Sequence, residues 1–239
     1  MISLVIPVYN EEKIIAATIE SVKVFMGKTF GAEYEVILVN DGSRDSTLEI
    51  AEGYAAGNRN IKIIALPQNR GKGGAVRAGM LAAEGDIIFF TDCDLAYGLE
   101  VIREGYEVFE KNKELDILIG SRRKHKEGFG SYSFLRKLMS LAYFMVLKIY
   151  GGIRQTTDSQ SGVKGFRNGA AKKIFALCEC DGWAFDLEAL LTAEKLGFKI
   201  GEIPVKIVNH GDSKVDIIKD SVKMLKDISE IKKRVKKLK

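Results

Sequence analysis

Asp92 and Asp94 flank one cysteine in the tripeptide DCD, directly after the apolar run DIIFFT. Carboxylates at i and i+2 on an emerging strand point to one side, so this pair can converge on a hard divalent cation, Mg or Mn, and on the diphosphate such a cation clamps. Asp also favours turns and helix starts, and the tripeptide alone fits a plain turn equally well. The choice depends on what else shares its edge of the fold.

Three further clusters bear on it. PVYNEE at 7–12 combines Pro7, which stiffens a strand exit, with polar atoms of Asn10, Glu11 and Glu12 at a helix start, where Asn10 is also a good helix cap. VNDGS at 39–43 sets Asn40 and Asp41 beside a turn through Gly42. Asp41 there can accept hydrogen bonds from a base or ribose, or simply make an Asx turn. NRGKGGAVRAG at 69–79 can offer backbone N–H groups, Lys72 and Arg77 to phosphate oxygens, or can use its small residues for close helix packing. It lacks Walker spacing, and no G-x-G-x-x-G occurs in the chain, which disfavours a hydride-transfer enzyme.

These clusters need a scaffold that brings strand ends together. Apolar runs of strand length at 2–6, 35–39, 61–65, 86–91 and 116–119 alternate with helical periodicity at 13–26, 46–56, 73–83 and 99–112. That is the rhythm of βα units feeding a mainly parallel sheet flanked by helices, with ligands at the carboxyl ends of the strands. All four clusters fall on those ends. After Gly120 come a polar loop, an apolar helix over 134–150, the Gly- and Ser-rich TTDSQSGVKGF, a helix in WAFDLEALLTAEKLG and a strand in KIGEIPVKIV. A terminal helix from about residue 215 carries Ile217, Ile218, Val222, Leu225, Ile228 and Ile231 at helical spacing, an apolar stripe suited to docking on the body.

Bulk properties narrow the setting. With 239 residues, 46% hydrophobic and 29% charged, the chain has ample material for a globular core. Its net charge of +5 is partly concentrated in KKRVKKLK at 232–239, a basic cluster without interleaved aromatics, which gives little support for nucleic-acid binding. Cys93, Cys178 and Cys180 make no disulfide or metal framework, and no charged start leads into an apolar signal segment, so the expected setting is cytoplasmic. The longest apolar stretch, 138–147, is far shorter than the roughly 20 residues a spanning helix needs. Membrane contact is therefore expected to be peripheral, through the 134–150 helix or the basic tail.

PVYNE, NDGS, NRGKGGAVRAG and DCD, in this order at successive strand ends, resemble glycosyltransferase family 2, whose members adopt the Rossmann-like GT-A fold. GSRR at 120–123, Arg136, DSQSGVKGF at 158–166, WAFDLE at 183–188 and HGDSK at 210–214 are similar to the dolichyl-phosphate sugar synthases, more to the glucosyltransferases than to the mannose enzymes. The resemblance implies a GT-A domain over 1–212, with a nucleotide-sugar half at 1–120 and an acceptor half at 121–212, followed by an amphipathic helix and basic tail at 213–239. It implies inverting transfer of glucose from UDP-glucose to dolichyl or another polyprenyl phosphate at the cytoplasmic face of a membrane. Asp92 and Asp94 would be catalytic metal ligands. Pro7, Tyr9, Glu11, Asp41, Lys72, Arg77, Asp92, Asp158, Gln160 and Asp186 would line the nucleotide-sugar site. Arg122 and Arg136 would hold the acceptor phosphate; that oxygen is already anionic near neutral pH, so cations are needed more than a base.

The sequence departs from the mannose enzymes at Ala96, where a Gln often follows DxD, and at Asn209 and His210, where an arginine precedes G-x-S-K. The first leaves the third metal ligand open. The second leaves Lys214 or His210 as candidates to reach the diphosphate. A GDP-mannose donor, a soluble glycan acceptor, a noncatalytic nucleotide-sugar binder, a membrane-anchoring subunit and a homo-oligomer all stand as alternatives at this level.

Overall fold

The computed structural model describes residues 1–128, 156–209 and 217–238. In chain order the elements are β1 (Ile2–Val8), α1 (Ile15–Phe30), β2 (Tyr34–Asn40), α2 (Thr47–Ala55), β3 (Ile61–Ala65), α3 (Lys72–Ala82), β4 (Ile87–Phe90), α4 (Glu100–Lys111) and β5 (Ile117–Ser121). Then follow β6 (Lys164–Arg167), α5 (Asn168–Leu177), α6 (Phe185–Lys195), β7 (Ile200–Pro204) and α7 (Ile217–Lys237). The strands form one sheet in the order β3-β2-β1-β4-β6-β5-β7. Every pairing is parallel except those of β6, which runs antiparallel to both β4 and β5.

The apolar runs become strands because both sheet faces are covered. Successive side chains alternate between two cores: Val5 joins Val39, Val76, Met80 and Phe90 on the face of α3, α5, α6 and α7. Leu4 and Ile6 join Ile15, Ile19, Val36 and Phe109 on the face of α1, α2 and α4. Strands from both sides of residue 120 share this one sheet. The three cysteines are free and buried.

Two elements were not anticipated. Residues 164–167, which the composition places in a loop, form β6, and α5 follows it directly. The tetrapeptide KGFR has neither the length nor the β-branched content of a strand. Its extended form is imposed by β4 and β5 on its two sides, a tertiary effect that local propensity does not carry. The terminal helix forms as expected, with Ile228 and Ile231 fully buried. The apolar helix expected over 134–150, together with Arg136, His210 and Lys214, lies outside the described residues.

β6 also arranges the site. Because it is antiparallel, its first residue, Lys164, sits level with Phe90 near the end of β4 and with Ile119 near the end of β5. The chain entering it, residues 158–163, therefore lies between the carboxyl ends of β4 and β5, where Asp92 and Arg122 emerge.

Candidate active site

The DxD turn is held by its backbone. Leu95, between Asp94 and Ala96, has φ of 49°, a left-handed conformation that costs a non-glycine residue roughly 1–2 kcal/mol. Leu95 N–H donates to Asp92 O at 3.1 Å, and Ala96 O accepts from Val208 N at 2.8 Å. Asn209 Nδ2 donates to Leu95 O at 3.1 Å. Where the mannose enzymes place an arginine, Asn209 is thus a brace for this turn. Ala96 offers no third side-chain ligand, but its N–H donates to Asp94 Oδ1 at 3.0 Å and aims that carboxylate.

The two aspartates differ in environment. Asp92 Oδ1 pairs with Lys72 Nζ at 2.5 Å. Its Oδ2 lies so near the 158–163 loop that a Cβ on Gly162 would come within 2.1 Å of it. Burial, then the charge of Asp92, pushes the Asp94 carboxyl above its ordinary range, and Glu11 adds to the repulsion. A cation would relieve this surplus of negative charge, and two carboxylates are the oxygen donors that Mg or Mn takes. Among the described residues no group of three His, Cys, Asp or Glu side chains is placed to hold a metal. The pair therefore suits an ion that completes its shell with phosphate oxygens and water.

A chain of alternating charge runs inward from Asp92. Burial opposes the charged form of Lys72, but the carboxylates of Asp92 and Asp186 hold it above its ordinary value. Its Nζ also lies 5.6 Å from the centre of the partly exposed Trp183 ring, a cation–π distance. Asp186, buried at the start of α6, accepts from Lys164 Nζ at 2.6 Å. Burial nevertheless leaves the Asp186 carboxyl above its usual range. Lys164 is wholly buried and donates also to Ser161 O at 2.6 Å. Sequence reasoning passed over Lys164; a lysine alternating with Gly and Phe just after a Ser-rich loop was the available signal.

Other expected residues have structural partners. Asp41 accepts from the N–H of Arg70 at 2.8 Å and of Gly71 at 2.9 Å, one on each carboxylate oxygen, so it clamps the glycine-rich turn. The N–H groups of Gly73 and Gly74, expected to face phosphate, donate to Asp181 O at 2.9 and 3.3 Å. Arg77, expected to hold the donor, donates instead to Asp181 Oδ1 at 2.7 Å and Cys178 O at 2.9 Å. A Cβ on Gly73 would meet Cys180 O at 2.4 Å, so the glycine serves close packing, the second of the two readings its sequence allowed.

Asn10 likewise does not cap α1. It takes φ of 52°, and its Oδ1 accepts from Arg44 N at 2.9 Å, locking the β1–α1 turn to the β2–α2 turn. Thr47 Oγ1 reinforces that lock by accepting from Glu11 N at 2.7 Å. Pro7, Tyr9 and Glu11 stay partly exposed along this edge.

Arg122 and Asp158, assigned to different substrates by the resemblance, form one buried pair. Arg122 Nε donates to Asp158 Oδ2 at 2.7 Å and Nη2 to Oδ1 at 2.8 Å, a fork-on-fork contact. Burial would raise Asp158, but Arg122 overcomes it and holds that carboxyl below its usual range. The pair is close to neutral, which weakens the pull expected of Arg122 on an acceptor phosphate. In the same loop Ser159 Oγ, Ser161 Oγ and Gln160 Nε2 are buried without hydrogen-bond partners among the described residues, as is Thr91 Oγ1 just before Asp92. Such groups carry a cost of roughly 1–3 kcal/mol each until something bonds them.

Glu188 accepts from the N–H of Glu179 at 2.8 Å and Cys180 at 2.6 Å, and from Arg234 Nη2 of the terminal helix at 2.6 Å. Neither Asp181 nor Arg234 was singled out in the sequence, because each acts across more than 40 residues of chain.

Comparison with known proteins fits this geometry. A family model described as glycosyl transferase family 2 matches residues 3–175. The dolichyl-phosphate beta-glucosyltransferase of Dictyostelium discoideum is 31% identical over 98% of this chain and 74% of its own length. That of Homo sapiens is 32% identical over 98% and 75%, and that of Saccharomyces cerevisiae 32% over 95% and 72%. Among solved structures, glucosyl-3-phosphoglycerate synthase from Mycobacterium tuberculosis, crystallised with Mn2+, uridine-diphosphate and glucosyl-3-phosphoglycerate, superposes with a TM-score of 0.71 at 19% identity, covering 97% of this chain and 79% of that one. Its complex with phosphoglyceric acid gives 0.72 at 19%, with coverage of 97% and 79%. This second likeness is one of fold, and the fold is the expected GT-A arrangement.

Proposed function

The chain belongs to glycosyltransferase family 2, and from that premise we propose that it moves glucose from UDP-glucose to dolichyl or a related polyprenyl phosphate, inverting the anomeric centre. The observation that carries this reading is the gathering of Asp92, Asp94, Lys72 and Asp186 at one edge of the sheet, where burial and then the charge of Asp92 push the Asp94 carboxyl above its ordinary range. The curated relatives carry the beta-glucosyltransferase name, and the M. tuberculosis synthase was crystallised with Mn2+ and UDP-glucose.

A Mg or Mn ion bound by Asp92 and Asp94 would supply positive charge to the diphosphate as it departs. Pro7, Tyr9 and Glu11 line the nucleotide edge, while Asp41 acts indirectly by setting the turn that carries Lys72. Lys72 would contribute its ammonium to the leaving group. Asp186 would accept from a sugar hydroxyl, and Gln160 Nε2 would donate to one. The acceptor phosphate oxygen attacks the anomeric carbon as the bond to the diphosphate breaks, and needs no proton removed. With Arg122 committed to Asp158, Arg136 is the stronger candidate to steer that phosphate.

The protein acts peripherally on the cytoplasmic face of a membrane in this reading. No helix among the described residues is long and apolar enough to cross one. Exposed Lys233, Lys236 and Lys237 on α7 would each add about 1 kcal/mol near an anionic surface. Radiolabelled UDP-glucose and GDP-mannose, each offered with polyprenyl phosphate with and without Mn or Mg, test the assignment. Label should enter the organic phase from UDP-glucose and only with metal. Transfer from GDP-mannose alone would overturn the glucose reading, and equal transfer after chelation would overturn the metal.

A further inference from the structure

Glu188 is 1% exposed, and both its oxygens are committed. Oε2 gathers the N–H groups of Glu179 and Cys180, while Oε1 takes Arg234 Nε at 2.9 Å and Nη2 at 2.6 Å. Arg234 lies one turn beyond Ile231 on the stripe by which α7 docks, so the helix and the acidic socket meet in one register. Asp181 directly follows Cys180 of the socket; its carbonyl caps Gly73 and Gly74 and its carboxylate holds Arg70 and Arg77. Asp41 grips the same turn from the other side. Lys72 stands between the two clamps, paired with Asp92 and beside Trp183, which the 178–184 loop itself carries.

We propose that Arg234 is a positioning residue for the donor pocket: through Glu188 and the 178–183 loop it fixes the turn that presents Lys72 to Asp92. The inference rests on reading this cleft as the nucleotide-sugar site. Without Arg234 the Glu188 charge would be left buried with only two amides, so it must take up a proton, turn away or admit water. Each response loosens the amides of Glu179 and Cys180, and with them the carbonyl that caps α3. The link is a contiguous run of hydrogen bonds and ion pairs from Arg234 to the turn that carries Lys72.

The test is calorimetric titration of UDP with Mn2+ into the full chain, paired with amide hydrogen exchange. Arg234→Ala should weaken UDP binding on the order of tenfold and speed exchange at Gly73 and Gly74 while distant β1 amides stay protected. Arg234→Lys should recover part of both effects, and Lys226→Ala, at an exposed position of the same helix, should change neither. Glu188→Gln provides a second variant from the other end of the contact, with the same direction expected if Arg234→Ala does not fold. Exchange at Gly73 and Gly74 unaltered by these substitutions, or lost uniformly with the rest of the sheet, would overturn the proposal. Wild-type protein that fails to bind UDP would instead sink the donor reading, which the exchange measurement distinguishes.

Discussion

Asp94 and Asp158 are both aspartates at the carboxyl edge of the sheet, and their surroundings push them in opposite directions. Asp158 is matched fork to fork by Arg122 and held below the usual carboxylate range. Asp94 is pressed by burial, Asp92 and Glu11 above it, with one backbone N–H to its Oδ1. The partners of Glu188 and Asp186 differ as well: Glu188 has four donors, while burial leaves the Asp186 carboxyl above its usual range despite a buried lysine. Where a buried carboxylate is fully matched by donors of its own chain it acts as scaffold. Where its charge is left in excess, the site is prepared for something from outside.

The largest effect should come from spoiling a matched pair. Asp158→Ala takes both carboxylate oxygens away from the buried fork of Arg122 and should cost about 3–5 kcal/mol in chemical denaturation; a loss near zero would erase the distinction just drawn. Asp94→Asn should do the reverse, lowering kcat by about 10²–10³ through lost stabilisation of the leaving diphosphate while leaving the denaturation midpoint unchanged. Stability falling with activity intact would place Asp94 among the scaffold groups.

Gly73→Ala tests the packing reading of the glycine-rich turn. It should cost roughly 1–3 kcal/mol by forcing the turn from the Cys180 carbonyl, with UDP affinity falling alongside. Unchanged stability with abolished UDP binding would restore the phosphate reading. Acid titration sharpens the comparison further. Asp158 contributes stability that is present above its ordinary value of 3.8 and is lost as pH falls through its lower folded value. Below that ordinary value, Asp158→Asn should show a shallower fall in stability than wild type. The smallest effect belongs to exposed pairs: Lys113→Ala, removing the 3.0 Å contact with Glu110, should stay within about 0.5 kcal/mol.

What the sequence revealed follows the same division. The βα units were legible because β1, β2, β4 and β5 are buried on both faces and read as apolar runs, and Asp92 and Asp94 stood out because they follow one directly. β6 was not legible, since KGFR owes its conformation to two neighbours more than 40 residues away. The Arg122–Asp158 pair was invisible for the same reason: only β6 brings those residues together. For Asn10, Asp41 and the glycine-rich turn the motifs marked the right place in the fold, while their partners, Arg44 for the first, Arg70 and Gly71 for the second and Asp181 for the third, decided the task. Residue type announces that a polar group needs a partner; topology determines which one.

The reversed strand carries a consequence for biosynthesis. As the chain leaves the ribosome, β1 to β4 can assemble in sequence, but β4 then presents an open edge, because its next neighbour in the sheet is encoded beyond β5. β5 cannot join that edge directly and must wait for residues 164–167 to be inserted between them. Until then the nascent chain exposes an unpaired ladder, and the segment 158–163, which lies between the ends of β4 and β5, gains its place only once that late strand is inserted.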